Sequence, residues 1–271
     1  MTAWAESTRS VDALVLIGSR ERAASDAVWT ADAQSDWDFQ IITSRPNMFA
    51  DGAWMRDLPG YELRVYAPRV ARIGGVPKVN VVLAGAEADF VVLPAPLMRR
   101  MKRAVALGLH RDEGKTRGAL RDLAVVIRPG WRFLKGGAAW DPLFQRVVAE
   151  VTDPRLDDGA VCGLANVFVC EAVWIRRKLE RGELAAAQRM LHRELAETNF
   201  RLLHELRLRR GERSFPEARR IERVLAGPEL EAVSVTATLD AVALRKALEK
   251  SEATLRMLMA ALVEERWRWP V

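Results

Sequence analysis

Asp36 and Asp38 stand one residue apart around Trp37, directly before an apolar run, and Asp89 opens another such run in Ala88-Asp89-Phe90-Val91-Val92. Side chains at i and i+2 of a strand share a face, so the first two carboxylates would lie side by side and repel. A divalent cation would turn that repulsion into a ligand set. Hard carboxylate oxygens suit Mg²⁺, which takes one or two of them together with substrate phosphates. With Asp89 as a third ligand from a neighbouring strand, two ions ~3.5–4 Å apart could hold the attacking and leaving oxygens of an in-line displacement. Taken alone, the aspartate pair would equally mark the point where a loop runs into a strand.

Gly18-Ser19-Arg20 follows a further apolar run, 13–17. Gly18 would let the backbone turn tightly there. Exposed backbone N–H groups and the Ser19 hydroxyl could then cradle phosphate oxygens, with Arg20 as a neighbouring cation. Many strand ends read Gly-Ser, so this signal gains weight only beside the three aspartates.

Five short apolar runs would position these groups. Strands are expected over 13–18, 37–43, 61–67, 78–84 and 88–94, the last two joined by a tight connection at Gly85-Ala86-Glu87. Residues 6–13 read as the end of an initial helix, and 72–78 as a turn. After Pro96 the pattern turns helical and basic in Leu97-Met98-Arg99-Arg100-Met101-Lys102-Arg103. Residues 123–143 read as an extended or irregular connector with turns at Arg128-Pro129-Gly130 and Gly136-Gly137. Beyond ~142 the pattern is helical, with breaks at 210–218 and 227–234. Leu191, Leu195, Leu202 and Leu206 form one apolar face, and Leu244, Leu248, Leu255 and Leu262 another. The expected fold class is therefore α+β. A mixed-sheet domain, 1–140, would be followed by a helical bundle, 141–271, packed on its leucine faces.

The order Gly18-Ser19, Asp36-Trp37-Asp38-Phe39, then Asp89 on a later strand resembles the nucleotidyltransferase superfamily with a DNA polymerase beta-like fold. Gly18-Ser19-Arg20, the Asp-x-Asp and the hairpin leading to Asp89 look like its aminoglycoside 6-adenylyltransferase branch, and the helical stretch 166–191 continues the likeness. The specific motifs lie only at the three aspartates. The resemblance implies an NTP, ATP for preference, bound with two Mg²⁺ ions. Asp36, Asp38 and Asp89 would ligate the metals, and Gly18, Ser19 and Arg20 would hold the β- and γ-phosphates. A nucleoside monophosphate would pass to a hydroxyl of a small-molecule acceptor, an aminoglycoside among the candidates. This sequence departs from the branch in two places. The spacer 20–35 is longer than usual, and Asn166 is followed by Val167 where a glutamate is often found. Glu171, one turn later, is the substitute general base; its plain alternative is an ion pair with a Lys or Arg.

Composition bounds the rest. The net charge of +6 is compatible with anionic ligands and establishes none, because the basic residues are interleaved with acids along the helices. No apolar run is expected to reach the ~20 residues that span a bilayer, and residues 1–13 lack a signal-peptide pattern, so a cytoplasmic protein is expected. Cys162 and Cys170, eight apart on one helix, are too distant for a disulfide and read as small buried hydrophobes. His110, His192 and His204 show no metal-ligand spacing. A polycationic acceptor would want acids, and Asp153, Asp157, Asp158, Glu171, Glu180 and Glu183 are at hand. Two other classes stay open: a catalytically silent nucleotide-binding or regulatory protein, and a transferase acting on nucleic-acid ends. The last is permitted by the basic helix at 99–104 and by the tail Arg266-Trp267-Arg268-Trp269, whose other reading is docking on the core.

Overall fold

The computed structural model describes all residues except 23–30, 59, 72–73, 112–113, 153–154, 215–217, 219 and 271. Much of the spacer 20–35, part of the turn 72–78, part of the break 210–218 and the acid Asp153 thus lie outside the described residues. The chain divides into two compact units, Met1–Pro154 and Arg155–Val271.

In the first unit α1 (Thr2–Ser7) leads into β1 (Val11–Ile17), and β2 (Trp37–Thr43), β3 (Leu63–Val70), β4 (Pro77–Leu83) and β5 (Ala86–Pro94) follow. Then come α2 (Ala95–Ala106), α3 (Lys115–Ile127), β6 (Trp131–Lys135) and α4 (Gly137–Glu150). The sheet has six strands in the order β3-β4-β5-β2-β1-β6. Only β2 and β5 run parallel, so the sheet is mixed. The five expected strands are present. The connector expected over 123–143 is different: Leu123 to Ile127 end α3, Trp131–Lys135 forms β6 against β1, and α4 begins at Gly137. Its apolar residues are too few to show a period, and the turn at Arg128-Pro129-Gly130 hides a helix end. A boundary at 140/141 would cut α4, whose Trp140, Leu143, Phe144 and Val147 are buried in the first unit's core; the units divide after Pro154 instead.

Both faces of this sheet are covered, which is why β1 reads as an almost unbroken apolar run. Leu14, Leu16, Phe39, Ile41, Val79, Val81, Phe90 and Val92 pack on one face with Trp4, Phe49 and Trp54. Ala13, Val15, Ile17, Ile42 and Leu93 pack on the other against α2, α3 and α4. On the first face Phe39 and Phe90 stack with ring centroids 5.2 Å apart. Those two rings sit directly opposite each other in the β2–β5 register, which also sets Asp38 opposite Asp89. Core packing on one face thereby fixes the spacing of carboxylates on the other.

The second unit is helical: α5 (Asp158–Glu180), α6 (Leu184–Met190), α7 (Glu197–Arg209), α8 (Gly227–Val233) and α9 (Ala241–Val263). A wider turn over Leu191–Ala196 carries α6 into α7. Leu191, Leu195, Leu202 and Leu206 meet Leu244, Leu248, Leu255 and Leu262 in one buried cluster, as the two leucine patterns require. The break expected at 227–234 is mostly α8. Trp267 and Trp269 pack on this cluster. Trp267 Nε1 donates to Asn166 Oδ1 at 3.0 Å, and the Arg256 guanidinium covers the Trp269 ring at 4.0 Å. The tail docks on its own unit.

Two expectations need correction here. Cys170 is exposed and Cys162 half-buried, because the buried stripe of α5 falls on Val161, Ala165, Phe168, Ala172, Ile175 and Leu179. By length and composition α5 does meet the bilayer-spanning criterion, with a mean hydropathy of 1.5 over its most apolar window. The sequence reading counted unbroken apolar runs and so passed over it. That same stripe of α5 is buried in the helical core.

Glu205 is the deepest acid of the α5–α7 end. It is 3% exposed and accepts from Arg155 at 3.0 Å, from the Leu156 amide at 3.1 Å and from Arg209 at 3.1 Å. Burial alone would push its carboxyl up; the hydrogen bonds from Arg155, Leu156 and Arg209 prevail and hold it below the usual glutamate range. A carboxylate depressed in the fold stabilises above its unfolded pKa, and that stabilisation is lost as pH falls through the folded value. Glu205→Gln should therefore cost about 1–3 kcal/mol at neutral pH. The gap to the parent protein in thermal unfolding should narrow as the pH drops below about 4. A gap that stays constant with pH would mean the loss is packing, not charge.

Candidate metal centre

β1 ends at Ile17 and the chain turns at Gly18, whose φ of +79° is open to glycine at little cost. A Cβ at this position would collide with the Asp38 carboxylate, so the glycine lets the turn lie against the acid. Ser19 is buried, and its hydroxyl has no hydrogen-bond partner among the described residues. A donor-acceptor group is thus held in reserve at the strand end.

Arg20 also has a role within the fold. Its Nε donates to the Asp36 carbonyl at 3.1 Å and its Nη2 to the Ser35 carbonyl at 2.5 Å, while its guanidinium lies 4.0 Å from the Trp37 ring centroid. The cation is engaged by the loop that carries the aspartate pair, and two of its donors brace that loop.

Asp36, Asp38 and Asp89 converge. One carboxylate oxygen from each lies within 4.8 Å of the other two, and all three side chains are half-buried. Asp36 stands just before β2, Asp38 on β2 and Asp89 opposite it on β5. Clustered hard oxygens of this kind fit a small divalent cation in chemistry and in number. The structure thus brings together the three aspartates that the sequence reading named as metal ligands.

Two residues of β4 complete the cluster, and the sequence reading missed both. Lys78 Nζ lies 2.5 Å from Asp89 Oδ2, and Asn80 Nδ2 donates to Asp89 Oδ1. Asn80 is Asp89's register partner across β4–β5, and Lys78 is two residues along the same face. The signal was in the sequence: Lys78 and Asn80 are the polar members of an alternating strand that hairpins onto the strand of Asp89. Lys78 supplies a positive charge beside the gathered carboxylates, and it holds an Asp89 oxygen a metal would need. Lys78→Met is expected to tighten Mn²⁺ binding several-fold and to lower the melting temperature in EDTA, because Asp89 then lies beside the other two carboxylates without its ion-paired lysine. Metal binding weakened by this substitution would contradict the competition.

Glu171 belongs to the second unit, half-buried on α5. Burial and the nearby Glu194 carboxylate push its carboxyl up from the ordinary glutamate range. Among the described residues it has no ion pair with a Lys or Arg, and the charge that acts on it is another acid. Of the other acids, Asp157 caps α5 by accepting from the Ala160 amide at 2.7 Å. Asp158 is paired with Arg209 and Arg266, and Glu183 with Lys178.

Sheet and carboxylates together define a class: an α+β protein in which two adjacent parallel strands bring three aspartates to one point. Among solved structures the chain is similar to an aminoglycoside 6-adenyltransferase from Bacillus subtilis, with a TM-score of 0.41 and 12% identity over 98% of this chain and 89% of that one. It is also similar to a nucleotidyltransferase-like protein from Exiguobacterium sibiricum, with a TM-score of 0.35 and 13% identity over 96% and 73%. Neither likeness is close enough to say what this chain does. No protein-family model matches the chain, and no curated protein matches it significantly.

Proposed function

We propose that the chain is a divalent-metal-dependent nucleotidyltransferase that moves a nucleoside monophosphate, AMP from ATP, onto a hydroxyl of a small-molecule acceptor. The observation that carries this reading is the convergence of Asp36, Asp38 and Asp89 within 4.8 Å. Bound Mg²⁺ would supply the charge neutralisation that phosphoryl transfer requires. The chain's own residues do the positioning. Asp36 and Asp38 hold their carboxylates on one side of the cluster, Arg20 fixes the loop that carries them, and Asn80 orients Asp89. The Gly18 turn and the free Ser19 hydroxyl offer the β- and γ-phosphates a donor at the end of β1. The acceptor oxygen bonds to the α-phosphorus as the α–β phosphoanhydride breaks, and pyrophosphate leaves with the electron pair. The hydroxyl proton goes to a base, for which Glu171 is proposed; burial and the Glu194 carboxylate raise its affinity for a proton.

Of the acids offered for a polycationic acceptor, Glu171 and Glu180 have no basic partner among the described residues. An aminoglycoside is the first acceptor to try, on the sequence resemblance. The reading carries a cytoplasmic location with it, where NTPs are made. A silent nucleotide-binding protein is the second reading, and the Lys78–Asp89 pair favours it, because a resident cation can stand in for a metal. Pyrophosphate release from ATP and Mg²⁺ across aminoglycosides, lincosamides and short RNAs separates the two. Acceptor-dependent release establishes the transferase; Mg²⁺-dependent ATP binding with no release from any acceptor favours the silent protein.

A further inference from the structure

The sheet face that carries the triad continues past it. Gln40 lies two residues beyond Asp38 on β2, and its register partner Val91 lies two residues beyond Asp89 on β5. Two residues of strand are roughly 6.6 Å, so this pair sits about one sugar's length from the carboxylates. A cavity of about 60 Å³ opens there, lined by Gln40, Val91, Leu97, Met98, Leu123 and, as the one acid among the described residues, Asp122. Its walls are otherwise mostly apolar. By the same measure a single water needs roughly 10–15 Å³, so the space takes the edge of a ring rather than a polyhydroxyl chain.

Gln40 is 2% exposed, and its Oε1 has no hydrogen-bond partner among the described residues. A buried amide oxygen is costly to leave unpaired. An unpaired acceptor at the edge of an apolar cavity, on the face where the nucleotide would react, asks for a flat apolar group that carries an N–H donor. A hydroxyl-rich acceptor molecule is a poor fit for such walls. Unbranched Met98 adapts readily to a planar guest.

We propose that this cavity receives the amino edge of the nucleobase, with Gln40 Oε1 accepting a hydrogen bond from the 6-amino group of adenine. The assignment rests on the nucleotidyltransferase reading and extends it to the choice of base. It makes Gln40 a specificity-determining residue, since a site built to pair an N–H rejects the analogue that lacks it.

The test is calorimetric binding of ATP and of purine riboside triphosphate, which has hydrogen in place of the 6-amino group, with Mg²⁺ and no acceptor. The parent protein should bind ATP at least about tenfold more tightly. Gln40→Met should bind the two equally. Equal affinities in the parent protein overturn the proposal without need of any variant, and so does a preference that survives in Gln40→Met. If the parent protein binds neither nucleotide, the nucleotidyltransferase reading itself falls.

Discussion

Asp38→Asn should abolish nucleotidyl transfer, by at least about 10²–10³-fold in kcat, the scale seen when one preorganised electrostatic contact to a transition state is removed. Asp38 is the member of the triad set in the sheet next to both others, opposite Asp89 and two residues from Asp36. Asparagine keeps the volume and one oxygen and removes the charge. Folding should be nearly untouched, since asparagine fills the same space beside the Gly18 turn. Turnover within about tenfold of normal would contradict the ligand assignment.

Gly18→Ala should damage both fold and activity. The turn at Gly18 has φ of +79°, and an added Cβ would run into the Asp38 carboxylate. The backbone alone costs about 1–2 kcal/mol for a residue with a side chain, and each kcal/mol is roughly 2–4 °C for a unit of this size. Relief of the collision would have to move Asp38 or the strand end, so transfer should fall by about 10-fold or more, as expected when a reacting group is displaced by about an ångström. A variant that melts several degrees lower yet turns over normally would show that the turn is structural and that Asp38 has room to move.

How much of this was legible in the sequence depends on which residues carried a period. The strands of Asp38 and Asp89 were readable because buried parallel strands are continuous apolar runs, and the two leucine faces were readable because they repeat at helical spacing. The sixth strand was not, since Trp131–Lys135 is five residues long and half-buried except at the exposed Arg132. The triad itself was legible as Asp-x-Asp plus a later strand-opening aspartate. What could not be read was which partners each acid would find. Arg20 looks like a phosphate ligand beside Gly-Ser, and only the folded loop shows its guanidinium on the Ser35 and Asp36 carbonyls. Lys78 and Asn80 needed the β4–β5 register before they could be placed on Asp89. Gln40 passed as one polar residue in an apolar strand, and its orphaned oxygen emerged only when both faces of that strand proved to be covered.

The central claim is that three aspartates form a divalent-metal site. Its most direct test is a Mn²⁺ titration followed by electron paramagnetic resonance, on the parent protein and on Asp38→Asn and Asp89→Asn. Saturable binding in the parent protein that weakens at least about tenfold in each variant is the predicted result. Binding unchanged by either substitution, or no binding to the parent protein with or without ATP, would contradict it.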